Sequence, residues 1–239
     1  MSTESEPSFE HAKFARMRAE YGDVMDRILS LGFSQADLVH YFPAFAGKLT
    51  LARYLSLYEL YKQCTPLAGH IAEVGVYKAG CTLLMAKLVE IFEPNSLTLV
   101  HGFDWFLGAQ PTDEEKFVKE GECACPEETV QELINAQKLD SIVRLHNMDV
   151  AHDLPRFFEQ HPHLQFKLVF LDCGIYEVVR ESLRAFWPRL TVGGILILDH
   201  YSHEFAPGEM RAVREELPGV TFRQIPFGWM PAAYAVKET

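Results

Sequence analysis

A membrane-spanning helix needs roughly 18 consecutive apolar residues. No run in this sequence comes near that length. The opening MSTESEPSFE is polar and acidic, without the basic start and apolar middle of a secretory signal. Cysteine is scarce: Cys64, Cys81, Cys123, Cys125 and Cys173 are the five. Only Cys123 and Cys125 are close, and no second Cys or His pair follows at zinc-site spacing. An odd count without a secretory signal favours free thiols in a reducing compartment. Positive charge is short as well, 22 Lys and Arg against 33 Asp and Glu, for a net charge of -11. Such a field repels phosphate backbones. The expectation is a soluble cytoplasmic protein that partners neither nucleic acid nor membrane. Internal repeats and low-complexity segments are absent, and so is the dinucleotide fingerprint G-x-G-x-x-G.

What is present is ordinary globular composition: 239 residues, 48% hydrophobic and 23% charged. One compact unit is expected. Residues 1–65 read as a helical cap or lid. Phe14, Met17, Tyr21, Val24, Met25, Ile28 and Leu31 recur near helical spacing. Ser34 reads as a cap for a short helix ending near Phe45. Thr50 reads as the cap of a third helix carrying Leu51, Tyr54, Leu55, Tyr58 and Leu60. Its apolar surface is also compatible with a homodimer. From residue 66 to 239 the pattern changes. Apolar runs at 70–76, 97–104, 142–149, 166–172 and 194–199 alternate with helical stretches at 80–92, 126–138, 151–161 and 176–190. That alternation predicts an α/β fold, a parallel sheet covered on both faces. Residues 220–226 and 232–237 read as an antiparallel hairpin on one edge. The acidic segment 107–128, with seven carboxylates, is the longest expected loop, either a lid or a solvated excursion.

Ligands of open α/β sheets bind at the carboxyl ends of the strands. Four expected strands end in aspartate, at Asp104, Asp149, Asp172 and Asp199. The first instead carries Glu73 ahead of Gly75-Val76-Tyr77-Lys78-Ala79-Gly80. The spacing E-x-G-x-x-x-x-G does not suit a pyrophosphate, which needs a helix N-terminus clear of side chains. It suits an amino-acid tail, with backbone amides near Gly75 for the carboxylate and Glu73 for the ammonium. Asp104 can accept hydrogen bonds from a ribose diol. Trp105 or Phe106 can flank an adenine, or be core.

Glu73–Gly80, Gly102-Phe103-Asp104-Trp105-Phe106, Leu171–Glu177 and Gly193–Tyr201, in that order over residues 70–215, resemble the macrocin O-methyltransferase family. The resemblance implies a Rossmann-like seven-stranded methyltransferase sheet. It also implies S-adenosylmethionine as cofactor, commonly with magnesium, and a sugar or phenolic hydroxyl of a small secondary metabolite as acceptor. It places Glu73, Gly75, Tyr77, Lys78 and Gly80 at the methionine end, Asp104 at the ribose, and Met148 and Asp149 beside the adenine. Asp172, Asp199 and His200 match a divalent-metal site. Two positions depart from the family pattern. The second acid of L-D-x-D-x-Y is Gly174, which removes the family's expected base, and the second of the paired aspartates is His200. Asp, Asp and His would make a softer ligand set. Alternatively no metal binds, and His200 takes the acceptor's proton. Asp172 and His200 are the catalytic candidates on either reading, with His203 a further histidine at the cleft mouth. An inactive cofactor-binding module and a nicotinamide-dependent oxidoreductase are the rivals. The first is favoured by Gly174, and the second is opposed by the missing fingerprint.

Overall fold

The computed structural model describes residues 9–110, 115, 118–225 and 227–239, with side chains from residue 19 onward. The expected contacts of Phe14 and Met17 lie outside the described side chains. Four helices precede the sheet: α1 (Phe9–Leu29), α2 (Gln35–His40), α3 (Phe42–Phe45) and α4 (Lys48–Cys64). Ser34 caps α2 in a reciprocal box with Asp37. Thr50 caps nothing, because Leu51 N already bonds Gly47 O at 3.1 Å and the helix begins at Lys48. The buried face of α4 also differs in part from the expected one. It keeps the expected Leu60, with Tyr54 and Tyr58 packed against the core, but adds Ser56, Leu57, Tyr61 and Cys64 and leaves Leu55 exposed.

Strands and helices then alternate: β1 (His70–Val74), α5 (Gly80–Phe92), β2 (Val100–Asp104), α6 (Glu127–Ala136), β3 (Val143–Asn147), α7 (Val150–Gln160), β4 (Phe166–Leu171), α8 (Tyr176–Phe186), β5 (Leu190–Leu198), α9 (Pro207–Glu216) and β6 (Ala233–Val236). The sheet order is β3-β2-β1-β4-β5-β6, parallel except for β6. Among the described residues six strands form, not seven. The expected first arm of the edge hairpin reduces to one exchange, Arg223 with Tyr234. A single hydrogen-bonded pair makes no ladder, and at Gly228 the chain turns back on Ile225 O (3.1 Å).

Successive strand residues face opposite sides, and the core divides accordingly. Ile71, Leu168, Phe170, Ile195 and Ile197 pack with Leu57 and Leu60 of α4 and with Met85 and Val89 of α5. Ala72, Val74, Val169, Leu171 and Leu196 pack with Leu154, Phe158, Val179 and Phe186 of α7 and α8 and with Val213 of α9. The α4 helix therefore covers one face of the sheet. No described helix is long and apolar enough to cross a membrane.

One histidine pair inside this core contributes to the acid response. His101 is 4% exposed, and its Nδ1 lies 2.9 Å from His146 Nε2. Its Nε2 has no partner among the described residues. Burial, then the neighbouring His146, His70, Arg144 and His161, push His101 down to about 3. Burial, His161 and Arg144 push His146 down to about 4. Both rings fold neutral and are protonated more readily in the unfolded chain. Their contribution is complete above the ordinary histidine value and is lost as pH falls from about 6.5 toward 4. Over that window the two rings contribute up to about 2.7 kcal/mol per pH unit to the slope of urea-unfolding stability, opposed by buried Glu73 and Glu209, whose raised carboxyls release protons on unfolding. The His101→Gln variant is expected to show a shallower slope.

Candidate active site

The strand order reverses direction between β1 and β4, which is where an α/β sheet opens a crevice at its carboxyl edge. Gly75 follows β1 and Asp172 follows β4 across this gap. A Cβ on Gly75 would stand 2.3 Å from the Asp172 carbonyl oxygen, and its φ is +93°. Glycine is required there by the neighbouring strand as much as by any ligand. Tyr77 and Ala79 also hold positive φ, 50° and 59°. Non-glycine residues in that region cost free energy that surrounding contacts must offset. The offset comes from Asp104. Its Oδ2 accepts from Val76 N (2.8 Å) and Tyr77 N (3.0 Å), and its Oδ1 from Phe106 N (2.8 Å). A carboxylate has about four acceptor positions, so Asp104 keeps room for about one further hydroxyl rather than two.

A cleft of about 670 Å³ opens above this edge, a size suited to a small-molecule ligand. Of the residues singled out by sequence, Gly75, Tyr77, Asp104, Trp105, Met148, Asp149, Asp172 and His200 line it. Glu73, Lys78, Gly80 and Asp199 do not. Glu73 lies under the turn, 3% exposed, where Thr82 Oγ1 donates to it. Burial and the nearby Asp172 push its carboxyl up to about 8. Lys78 turns outward over the Tyr77 ring, and Gly80 opens α5. Asp199 is 3% exposed. Phe106 belongs to the core, so of the two aromatics only Trp105 reaches the cleft. Asp149 also caps α7, accepting from Ala151 N (3.1 Å). The acidic loop folds against the cleft. Its two arms are paired through Ala109 N to Glu122 O (2.7 Å) and Gly121 N to Ala109 O (2.9 Å), and Gly108, Glu122 and Cys123 join the wall. Glu115, 1% exposed, anchors it by accepting from Tyr176 N at the start of α8 (3.0 Å).

His200 sits at the far wall. A Cβ on Gly174 would stand 3.2 Å from His200 Nδ1 and 3.1 Å from the Ala206 Cβ. A side chain at 174 would crowd the imidazole, so the two departures from the pattern that the sequence resembles lie side by side in the structure. Burial lowers the His200 pKa and keeps the ring neutral. Glu209 on α9, fully buried, accepts from His200 N (3.1 Å), and its Oε2 lies 3.9 Å from His200 Nδ1. Burial raises the Glu209 carboxyl well above its usual range. His203 is buried against the Phe205 ring, with Phe205 N donating to its Nδ1 (3.2 Å).

The metal set read from the sequence is not assembled. Asp172, Asp199 and His200 do not offer three ligand atoms within 4.8 Å of one another. The physical reason is Arg53 of α4, whose Nη2 donates to Asp172 Oδ2 and Nη1 to Asp199 Oδ1, both at 2.5 Å. The one group of that tightness among the described residues is Glu73, Cys81 and Asp172. It does not fit an ion either. Glu73 is bonded by Thr82, Asp172 by Arg53, and burial holds the Cys81 thiol well above its ordinary value.

Sequence reasoning missed Arg53, Glu115 and Glu209. Arg53 had a signal, since 53, 57, 60 and 64 fall at helical spacing on the buried face of α4. Glu209 follows the Pro207–Gly208 start of a helix that was not expected. Glu115 was one of many loop acids and carried no signal.

The mainly parallel sheet, the strained glycine turn tied to the acid that ends β2, and the cleft at the β1–β4 crossing define a Rossmann-like enzyme acting on a small molecule. The family described as a methyltransferase domain matches residues 72–201, just over half of the chain, and the chain belongs to that family. It is an S-adenosylmethionine-dependent methyltransferase. The fold is similar to a crystal structure of CalS11, a calicheamicin methyltransferase, with 26% identity and a TM-score of 0.81 over 91% of this chain and 92% of that one. The apo structure of CalS11, described as a TDP-rhamnose 3'-O-methyltransferase, gives 26% and 0.75 over 90% and 93%. The O-methyltransferase NovP shares the fold at 18% and 0.64, over 79% and 80%. No curated protein matches the chain in sequence.

Proposed function

We propose that this enzyme methylates a hydroxyl of a sugar on a small secondary metabolite, within the macrocin-type group of O-methyltransferases. The observation that carries the reading is the similarity to CalS11 across nine-tenths of both chains, joined to a cleft walled by a neutral histidine. The turn Gly75–Ala79 would hold the cofactor's amino-acid tail, Asp104 its ribose, and Trp105, Met148 and Asp149 its adenine. The described helical segment before residue 66 caps the methyltransferase domain. In the transfer step the acceptor oxygen attacks the cofactor methyl carbon. The O–CH₃ bond forms as the S–CH₃ bond breaks, sulfur keeps the electron pair as a neutral thioether, and the hydroxyl proton passes to His200. The sulfonium is already activated, so alignment and proton removal are what the protein supplies.

Calorimetric titration with S-adenosylmethionine and with NAD, followed by mass spectrometry of nucleotide-linked and glycoside sugars, tests the assignment. S-adenosylmethionine binding with a 14 Da gain on a sugar oxygen is the expected result. Methylation of nitrogen or carbon acceptors alone would sink the sugar assignment, and binding without transfer to any acceptor would favour the inactive module.

A further inference from the structure

The group of enzymes to which the site is assigned commonly uses a divalent ion, yet the residues at that position hold a different cation. Arg53 reaches from the buried face of α4 into the gap between the ends of β4 and β5. Its two terminal nitrogens bond one oxygen each of Asp172 and Asp199, both at 2.5 Å. The guanidinium lies 5.3 Å from the centre of the Phe170 ring. It is about one-fifth exposed, and the Asp199 side chain only 4%. The planar guanidinium presents its donors in a fixed fork, and here the fork bridges two carboxylates.

An ion at this place would have to evict that fork. Magnesium demands near-octahedral oxygens at about 2.1 Å, and each carboxylate here already spends an oxygen on Arg53. Eviction would also leave a largely buried guanidinium beside the Phe170 ring without its two partners, a costly state. The remaining candidate ligand does not help. The His200 Nε2 lies 3.6 Å from the second oxygen of Asp199, on the same carboxylate rather than across the gap. A further acid at position 174 would be crowded, since its φ is +68° and a Cβ there would stand 3.1 Å from Ala206 and 3.2 Å from His200.

We propose that Arg53 is the resident cation of this site, holding Asp172 and Asp199 where a divalent ion would sit, so that methyl transfer here needs no metal. Arg53 is a positioning residue. It fixes the two carboxylates at the floor of the cleft and leaves His200 as a free base rather than a ligand. The inference rests on the proposed function, but its first test does not.

The full chain, treated with chelator and dialysed, is titrated with Mn²⁺ and free ion is read by electron paramagnetic resonance, with and without S-adenosylmethionine. No stoichiometric binding up to about a hundred times the typical micromolar range of specific sites is the expected result. One Mn²⁺ bound per chain, and lost in Asp172→Asn, would overturn the proposal. In parallel, S-adenosylmethionine binding on the same sample reports on the functional assignment alone. Once an acceptor is in hand, chelator is expected to leave kcat unchanged within twofold. The Arg53→Ala variant is expected to lose at least tenfold in kcat with cofactor affinity retained. A chelator-sensitive wild type restored by Mg²⁺, or an Arg53→Ala variant with undiminished kcat, would each count against Arg53. Should that variant fail to fold, Arg53→Lys, whose single ammonium cannot fork to both carboxylates, is expected to give the same kcat loss.

Discussion

Replacement of His200 by Ala is expected to lower kcat by about 10²- to 10⁴-fold, the range contributed by a positioned general base, while S-adenosylmethionine binds as before. The ring is neutral because burial lowers its pKa. It therefore accepts a proton from a bound hydroxyl without first having to lose one. The sign of the pH dependence follows. A base must be unprotonated, so kcat rises with pH through the His200 pKa and then levels. Because burial moves that pKa below the ordinary histidine value of about 6.5, the limb lies on the acid side of neutrality. It should vanish in His200→Ala. The imidazole also fills the space beside Gly174, so His200→Gln serves as the volume control and is expected to be as slow as the alanine variant. Full activity in both variants would remove His200 from the reaction.

The second large effect is expected at Gly75. Its φ of +93° is unfavourable for any other residue, and an added Cβ would meet the Asp172 carbonyl at 2.3 Å. Relief requires the ends of β1 and β4 to move apart at the crevice itself. Gly75→Ala is expected to cost about 3 kcal/mol of stability, the sum of overpacking and backbone strain at typical sizes. It is also expected to weaken S-adenosylmethionine at least tenfold, since one site of damage serves both the fold and the cofactor turn. Urea unfolding and calorimetry measure the two. A variant of normal stability that binds normally would show that the turn does not shape the cofactor site.

Much of the architecture was legible without coordinates. Strands buried on both faces read as continuous apolar runs, and the helices between them follow a 3.6-residue period. Hence α5 falls where expected, at Gly80–Phe92, and the five parallel strands overlap the expected apolar runs. Gly75 and the strand-end aspartates were legible because backbone sterics and the rule of strand ends are local facts. The edge was not. Residues 220–226 have strand composition, but whether they pair depends on which neighbour offers free backbone groups, and only Arg223 finds one.

For the site, the sequence by itself determined which residues stand at the carboxyl edge and that two of them depart from the family pattern. Tertiary structure alone decided what those departures mean. Gly174 and His200 are 26 positions apart, and only packing shows that the imidazole stands against position 174. Arg53 lies 119 residues from Asp172 and 146 from Asp199. Periodicity can place it on the inner face of α4 but cannot say what lies opposite. An ion pair is fixed by distances between chain segments, and pattern along the chain carries only what each segment can do alone.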